Sequence, residues 1–250
     1  MRKGKKISCA ERIAAFIKEI TMNAKIRSTA IAVAVAGLFA TQPAAADTLV
    51  YGGVFPNGYV LVNINSVTPA LTVNNARAGQ FLMTDVTTSN TFNAWCVDIF
   101  HDLALSQSYN LQSASAFYTN LGDAGKATAL THLASNSLAS VTDAEHSAAF
   151  ALAVWEIVNE TSGSGYSLSG GNFTGTSANS NVVTYANSML GNLSGTITMT
   201  ANVWVQDNPG TTQNLVVFAP VPEPETYAMM LAGLGLIGFV ARRRKQNEAA

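Results

Sequence analysis

The C-terminal end of the chain most constrains how the whole molecule can fold. The stretch 221–225 carries two prolines, which fix φ and remove backbone donors, so neither a helix nor a central strand can continue through it. An uncharged apolar run follows from Thr226 to Ala241, and a basic cluster comes directly after it. An apolar helix followed by cations is typical of a membrane span whose charged side faces the cytoplasm. The residues predicted to set this orientation are Arg242, Arg243, Arg244 and Lys245.

These features divide the tail into three predicted segments. They are a rigid polar stem at 221–225, a transmembrane helix at 226–241 and a basic cytoplasmic tail at 242–250. The apolar run is slightly shorter than the ~17–25 residues that usually span a bilayer, and snorkelling of the basic side chains offsets the difference. The rest of the chain is therefore predicted to lie across the membrane from the cytoplasm.

The three segments in this order resemble the PEP-CTERM sorting signal of Gram-negative bacterial surface proteins. The matching residues are Pro222, Glu223 and Pro224, the glycine-rich run 231–238 and the basic cluster. The resemblance implies recognition by an exosortase and cleavage near Pro222–Pro224. It also implies a destination in the cell envelope or in an extracellular biofilm matrix, with exopolysaccharide as a partner. The residues leave open a plain C-terminal anchor, which needs only the span and the cations.

The first 46 residues predict export by the Sec translocon. Lys25 and Arg27 precede an apolar run from Ala30 to Ala40, and the small residues of 44–46 form a site for signal peptidase. We predict cleavage after Ala46 and a true start at Met22, because a signal peptide usually begins close to its apolar run. The alternative is a long basic leader that begins at residue 1.

The charge of the predicted exported body, residues 47–220, excludes one class of partner. This segment holds only two basic residues, Arg77 and Lys126, against ten acidic ones, which gives a formal charge of −8. Nucleic-acid binding needs clustered Lys and Arg on the protein surface. We therefore predict no nucleic-acid partner.

The order of apolar patterns in the body predicts an α+β domain. Strand-like runs come first, helical patterns follow from Leu111, and strands close the domain. The first two runs, 48–54 and 59–64, are separated by glycine and proline and predict a hairpin. The other predicted strands are 80–86, 91–100, 197–205 and 215–219.

The clearest helical pattern begins near residue 142. Thr142 and Glu145 have the spacing of a capping box, and Phe150, Val154 and Ile157 form one apolar stripe beside a second. A wide apolar face indicates a helix at the centre of a core. The predicted fold is thus a mixed β-sheet of barrel-like strands packed on a buried central helix, plus one C-terminal transmembrane helix.

Two segments of the body resemble the thioester domains of bacterial surface adhesins. In that family a cysteine after an aromatic residue pairs with a glutamine in a helical Gln-x-Ala-Ile-Trp motif, and the strained bond acylates a target. Cys96 matches the cysteine and Trp155 the tryptophan, but Ala151 stands at the glutamine position. Because alanine has no acyl carbon, the resemblance implies a degenerate thioester-like domain without the bond. Cys96 would then be a buried apolar residue, a free thiol or half of an intermolecular disulfide.

The remaining candidates for chemistry are weak. Asp98, His101 and Asp102 would share one face only in a helix, whereas their apolar neighbours fit a strand end. Glu156 on the central helix, acting with Asp98, would be the acid of a secreted hydrolase. We predict no catalytic residue, no metal and no cofactor. The leading function is a non-enzymatic exported envelope or matrix protein sorted by an exosortase, and the alternatives are a degenerate thioester adhesin and a hydrolase.

Overall fold

A computed structural model describes residues 46–221 and 230–238 of the 250-residue chain. Nine strands and four α-helices form the exported body, with a 3₁₀ turn at Leu138–Ser140. The strands are β1 Asp47–Tyr51, β2 Val60–Ser66, β3 Val73–Ala78, β4 Phe81–Asp85, β5 Thr91–Cys96, β6 Ser106–Ser113, β7 Thr174–Ser177, β8 Met199–Gln206 and β9 Leu215–Pro220. The helices are α1 Ala114–Asn120, α2 Gly125–Ser137, α3 Ala144–Asn159 and α4 Ser180–Leu190.

Six strands close into an antiparallel barrel in the order β1-β4-β5-β9-β8-β6. The predicted strands 80–86 and 91–100 correspond to β4 and β5, which pair with Phe81 opposite Ala94 across a polar turn at 87–90, although β5 ends at Cys96. Strand β6 was not predicted, because its sequence is polar and only Tyr109 is buried. It is held by pairing with β1 on one side and β8 on the other. The mixed α+β architecture with barrel-like strands agrees with the sequence prediction.

The predicted hairpin of the first two apolar runs is wrong. Strand β1 pairs with β4 and β6 of the barrel, whereas β2 pairs with β3 and β7 in a separate three-stranded sheet. The glycines and proline between the runs carry the chain from one sheet to the other. Both runs are apolar enough for a core, but their partners come from distant parts of the sequence.

Helix α3 forms the centre of the core, as its apolar stripes predicted. Every residue from Ser147 to Ile157 is buried, and the helix packs against α2, α4, β2, β3 and β5. The N-cap is Asp143 rather than the predicted Thr142, since the Asp143 carboxylate accepts a bond from His146 N at 2.9 Å. Glu145 instead accepts hydrogen bonds from the side chains of Asn179 and Asn181 at the start of α4.

The described part of the tail is one further helix, α5, at residues 230–238. It lies inside the predicted transmembrane segment 226–241, whose other residues are outside the described ranges. Among the helices that the structure describes, none has both the length and the apolar character needed to cross a bilayer. The spanning helix therefore stays a prediction from the sequence.

Candidate functional site

Cys96 is the last residue of β5 and lies beside a cavity of about 480 Å³. It is 3% exposed and pairs with Leu215 of the neighbouring strand β9. Its Sγ donates a hydrogen bond to the Asp98 carbonyl at 3.0 Å. Burial raises the pKa of the thiol, and the nearby Asp98 charge adds to that shift. The group is therefore a protonated thiol at neutral pH rather than a thiolate.

Trp155 and Cys96 lie together at the end of β5. The indole Nε1 of Trp155 donates to the Cys96 carbonyl at 3.1 Å, and both residues line the cavity. This bond joins the central helix to the end of β5. Ala151 sits one turn earlier on α3, is buried and does not line the cavity. Its methyl group fills core space and offers no reactive atom.

A glutamine side chain that no sequence pattern indicated lines the same cavity. Gln213 precedes β9, and Val97 N bonds to the carbonyl of its neighbour Asn214 at 3.0 Å. Because Cys96 pairs with Leu215, Gln213 is diagonal to Cys96 across the two strands. Both side chains line the cavity, which we call the Cys96 cavity. Among the described residues, the buried Oε1 of Gln213 has no hydrogen-bond partner.

The backbone around Gln213 is held firmly by its neighbours. The Tyr109 hydroxyl donates to the Gln213 carbonyl at 2.9 Å. The buried side chain of Gln206 donates to the Thr212 carbonyl at 2.6 Å and accepts from the Thr212 amide at 2.9 Å. These bonds hold the backbone at the start of β9, whereas the side-chain Oε1 of Gln213 has no partner among the described residues. The sequence signal was weak: a single glutamine before the last apolar strand.

The three residues considered for a metal do not form a ligand set. Strand β5 ends at Cys96, before all three residues. His101 Nδ1 lies 2.8 Å from the Asp98 carboxylate. Asp102 contributes its backbone carbonyl, which accepts from the Thr212 hydroxyl. Within residues 46–221 and 230–238, no group of three acidic, histidine or cysteine side chains converges on one point.

Glu156 is fully buried on α3, away from the Cys96 cavity. Its Oε1 accepts from Ser167 N at 2.7 Å, and its Oε2 is buried without a partner among the described residues. Burial raises the pKa of this carboxyl from 4.5 to about 7, and the nearby Glu160 charge adds to the effect. Asp98, which the hydrolase hypothesis paired with Glu156, instead contacts His101. The structure therefore does not show the pairing of Glu156 with Asp98 that this hypothesis needs.

The predicted sorting residues Pro222, Glu223 and Pro224 and the basic cluster 242–245 lie outside the described residues. What the structure does show is where the body ends. Strand β9 pairs with β8 as far as Pro220, opposite Met199, and Val221 N still bonds to the Thr198 carbonyl at 2.9 Å. The last strand of the body therefore ends at Pro220, and Val221, the first residue of the predicted stem, is still bonded to the body.

Comparison with known proteins identifies the tail and relates the body to solved folds. Residues 220–245 match the model of the PEP-CTERM protein-sorting motif. That motif implies an exported protein that an exosortase processes at the membrane. No curated protein sequence matches the chain.

Two solved structures share a weak similarity with the body. One is the N-terminal thioester domain of a surface protein from Clostridium perfringens, with 14% identity and a TM-score of 0.39 over 63% of this chain and 99% of that one. The other is a cysteine-to-alanine mutant of such a domain from the same organism, with 15% identity and a TM-score of 0.41 over 57% and 89% of the two chains.

Proposed function

We propose that the protein is a non-enzymatic component of the cell envelope or of an exopolysaccharide matrix, released from the membrane by an exosortase. The observation that carries the proposal is the junction at Pro220. The last strand of the barrel ends there, and the sorting motif begins at the same residue. A cut between Pro222 and Pro224 would leave every strand of the body intact.

The path to that cut follows from the two ends of the chain. The signal region 1–46 enters the Sec translocon, and signal peptidase cuts after Ala46. The helix at 226–241 then holds the precursor in the membrane, with Arg242–Lys245 on the cytoplasmic side. The acidic body folds outside the inner membrane before the exosortase releases it.

Replacement of Pro222, Glu223 and Pro224 by alanine tests the sorting step. The expected result is a full-length precursor that stays in the membrane fraction, because the exosortase no longer recognises the stem. The matched control replaces Gln246, Asn247 and Glu248 by alanine, since these residues lie beyond the matched motif. Release of the first variant at the wild-type level would contradict the proposal.

A second candidate function is covalent attachment through an internal thioester, and the position of Gln213 favours it. The resemblance puts Ala151, which has no acyl carbon, at the position of the donor glutamine, whereas the amide that shares the Cys96 cavity is Gln213. In the bond-forming step Cys96 Sγ attacks Gln213 Cδ, the C–N bond breaks, and the amide nitrogen leaves as ammonia with the thiol proton. An amine on a target surface would later open the thioester and release the thiol. The domain would then act as a covalent adhesin.

The mass of the denatured full-length protein tests the thioester. The expected result is a loss of one ammonia and no alkylation of Cys96 by iodoacetamide until methylamine is added. Gln213→Ala removes the effect, and Gln112→Ala, on β6 and not among the residues that line the cavity, keeps it. An alkylatable Cys96 with no mass deficit would eliminate covalent attachment and leave the sorting proposal untouched.

A further inference from the structure

A second cavity, of about 590 Å³, opens beside the short β5–β9 pairing of the closed barrel. Strands β5 and β9 pair only through Trp95 with Val216 and Cys96 with Leu215. Beyond these pairs β5 keeps β4 as its neighbour and β9 keeps β8, and residues of both β5 and β9 line the cavity at the seam between them. We call it the seam cleft. Its volume falls within the ~300–1,000 Å³ typical of small-molecule sites.

Aromatic rings line the seam cleft. Phe92 stacks on Trp204 with centroids 5.9 Å apart and planes 19° apart, and Trp95 lies 5.7 Å from Phe218. Trp95 is 2% exposed, and among the described residues its indole Nε1 has no hydrogen-bond partner. A buried donor without a partner costs stability, so its presence beside an open cleft points to a ligand that accepts its hydrogen bond.

The polar groups around these rings are all amides. Asn57, Gln80, Asn93 and Asn202 line the seam cleft, and none of its lining residues is ionisable. Asn57 is partly engaged, since its Nδ2 donates to the Val141 carbonyl at 2.7 Å. Each amide side chain offers both donors and an acceptor, which suits a hydroxyl that also donates and accepts. A charged ligand would find no counter-charge here.

We infer that the seam cleft binds a neutral glycan. Sugar rings present C–H faces that pack on aromatic rings and hydroxyls that pair with amides, and the cleft supplies both kinds of surface with one unused indole donor. A peptide would use the strand edges but would not need the four amides, and the lining carries no charge for a nucleic acid or an anionic polymer. The inference deepens the proposed function and rests on it only for the presence of glycans outside the cell.

Binding of neutral oligosaccharides to the full-length protein in detergent tests the inference. The probes are cellohexaose and maltohexaose, with an alginate hexamer as the charged comparison and tryptophan fluorescence as the readout. We expect saturable binding of at least one neutral hexamer and none of alginate. Failure of both neutral probes to bind, or equal binding of alginate, would overturn the inference.

Matched variants locate the binding. Trp95→Phe keeps the ring and removes the unpaired donor, and Asn93→Asp places a charge at the exposed rim, so each should weaken binding by about tenfold. Asn120→Ala, at the end of α1 and outside the cleft, should bind like the wild type. Unchanged affinity in both cleft variants, checked as folded by circular dichroism, would overturn the assignment.

A sorting-defective protein keeps the two proposals distinguishable. The Pro222-Glu223-Pro224 alanine variant should bind the neutral hexamer with wild-type affinity, because the stem is not part of the seam cleft. Normal sorting without glycan binding would refute only the seam-cleft inference. Normal glycan binding with unchanged release of this variant would refute only the exosortase proposal.

Discussion

Three buried side chains differ in whether their polar atoms have hydrogen-bond partners. The Trp155 indole is satisfied by the Cys96 carbonyl, whereas the Trp95 indole has no partner in the described structure. One carboxylate oxygen of Glu156 accepts a hydrogen bond from Ser167 N, and the other has no partner among the described residues. In a core each of these states has a different energetic consequence, because an unpaired polar atom loses its hydration without compensation.

The two tryptophans form a matched pair for a stability test. Trp155→Phe removes the donor from the buried Cys96 carbonyl, and we expect a loss of about 1–3 kcal/mol in the free energy of unfolding. Trp95→Phe removes a donor that has no partner among the described residues, so its loss in the free energy of unfolding should be clearly smaller. Urea denaturation of both variants measures the difference. Equal costs would mean that the Trp155–Cys96 bond does not stabilise the fold.

Glu156 gives the protein a pH dependence with a definite sign. Its pKa is about 7 in the folded state against 4.5 when exposed, so the folded state retains a proton that the unfolded state has lost between these values. The free energy of unfolding should therefore fall by about 2–3 kcal/mol in total as pH rises from 4.5 to 7, and it should then level off. Glu156→Gln should flatten this slope. Asp85, Asp123 and Asp143 have lowered pKa values and act in the opposite direction only at more acidic pH.

The pH series measured by urea denaturation has a simple control. Asn120→Ala changes an uncharged residue at the end of α1, on a different helix from Glu156. It should leave the slope between pH 4.5 and 7 unchanged. An unaltered slope in Glu156→Gln would show that this carboxyl ionises equally in both states.

Among the secondary-structure elements, those that carry their own pattern could be predicted and those made by distant pairing could not. Helix α3 has apolar stripes at helical spacing, and β4 and β5 are joined by a short polar turn, so local sequence was sufficient. Strand β6 is polar and owes its position to β1 and β8. The same limit hid Gln213, which reaches Cys96 only through the β5–β9 register.

Helix α3 also allows a test of position 151, where the thioester-domain resemblance puts the donor glutamine. Ala151→Gln puts a long amide into a position that is 1% exposed, and overpacking of this kind costs about 1–3 kcal/mol. We expect destabilisation and no new cross-link, because Ala151 does not line the Cys96 cavity. Ala116→Gln, on the exposed face of α1, should be nearly neutral in the same denaturation assay. A Cys96 cross-link that appears only in Ala151→Gln would restore the original assignment from the sequence.

At the scale of the whole molecule, an acidic body lies between a predicted export signal at 1–46 and the PEP-CTERM motif at 220–245. The body is closed by β9, which ends at Pro220, and the PEP-CTERM motif begins there. Both candidate sites, the Cys96 cavity and the seam cleft, belong to the body and border the β5–β9 seam. Removal of the tail would therefore free the domain without removing any residue that lines either site.

The most direct test of this account is the intact mass of the protein recovered from the cell envelope and the medium of its host. We predict a species that begins at Asp47 and ends between Pro220 and Glu225. A mature protein that still carries Arg242–Lys245 would contradict exosortase processing, and with it the central claim that this chain is an exported domain released at its C-terminal stem.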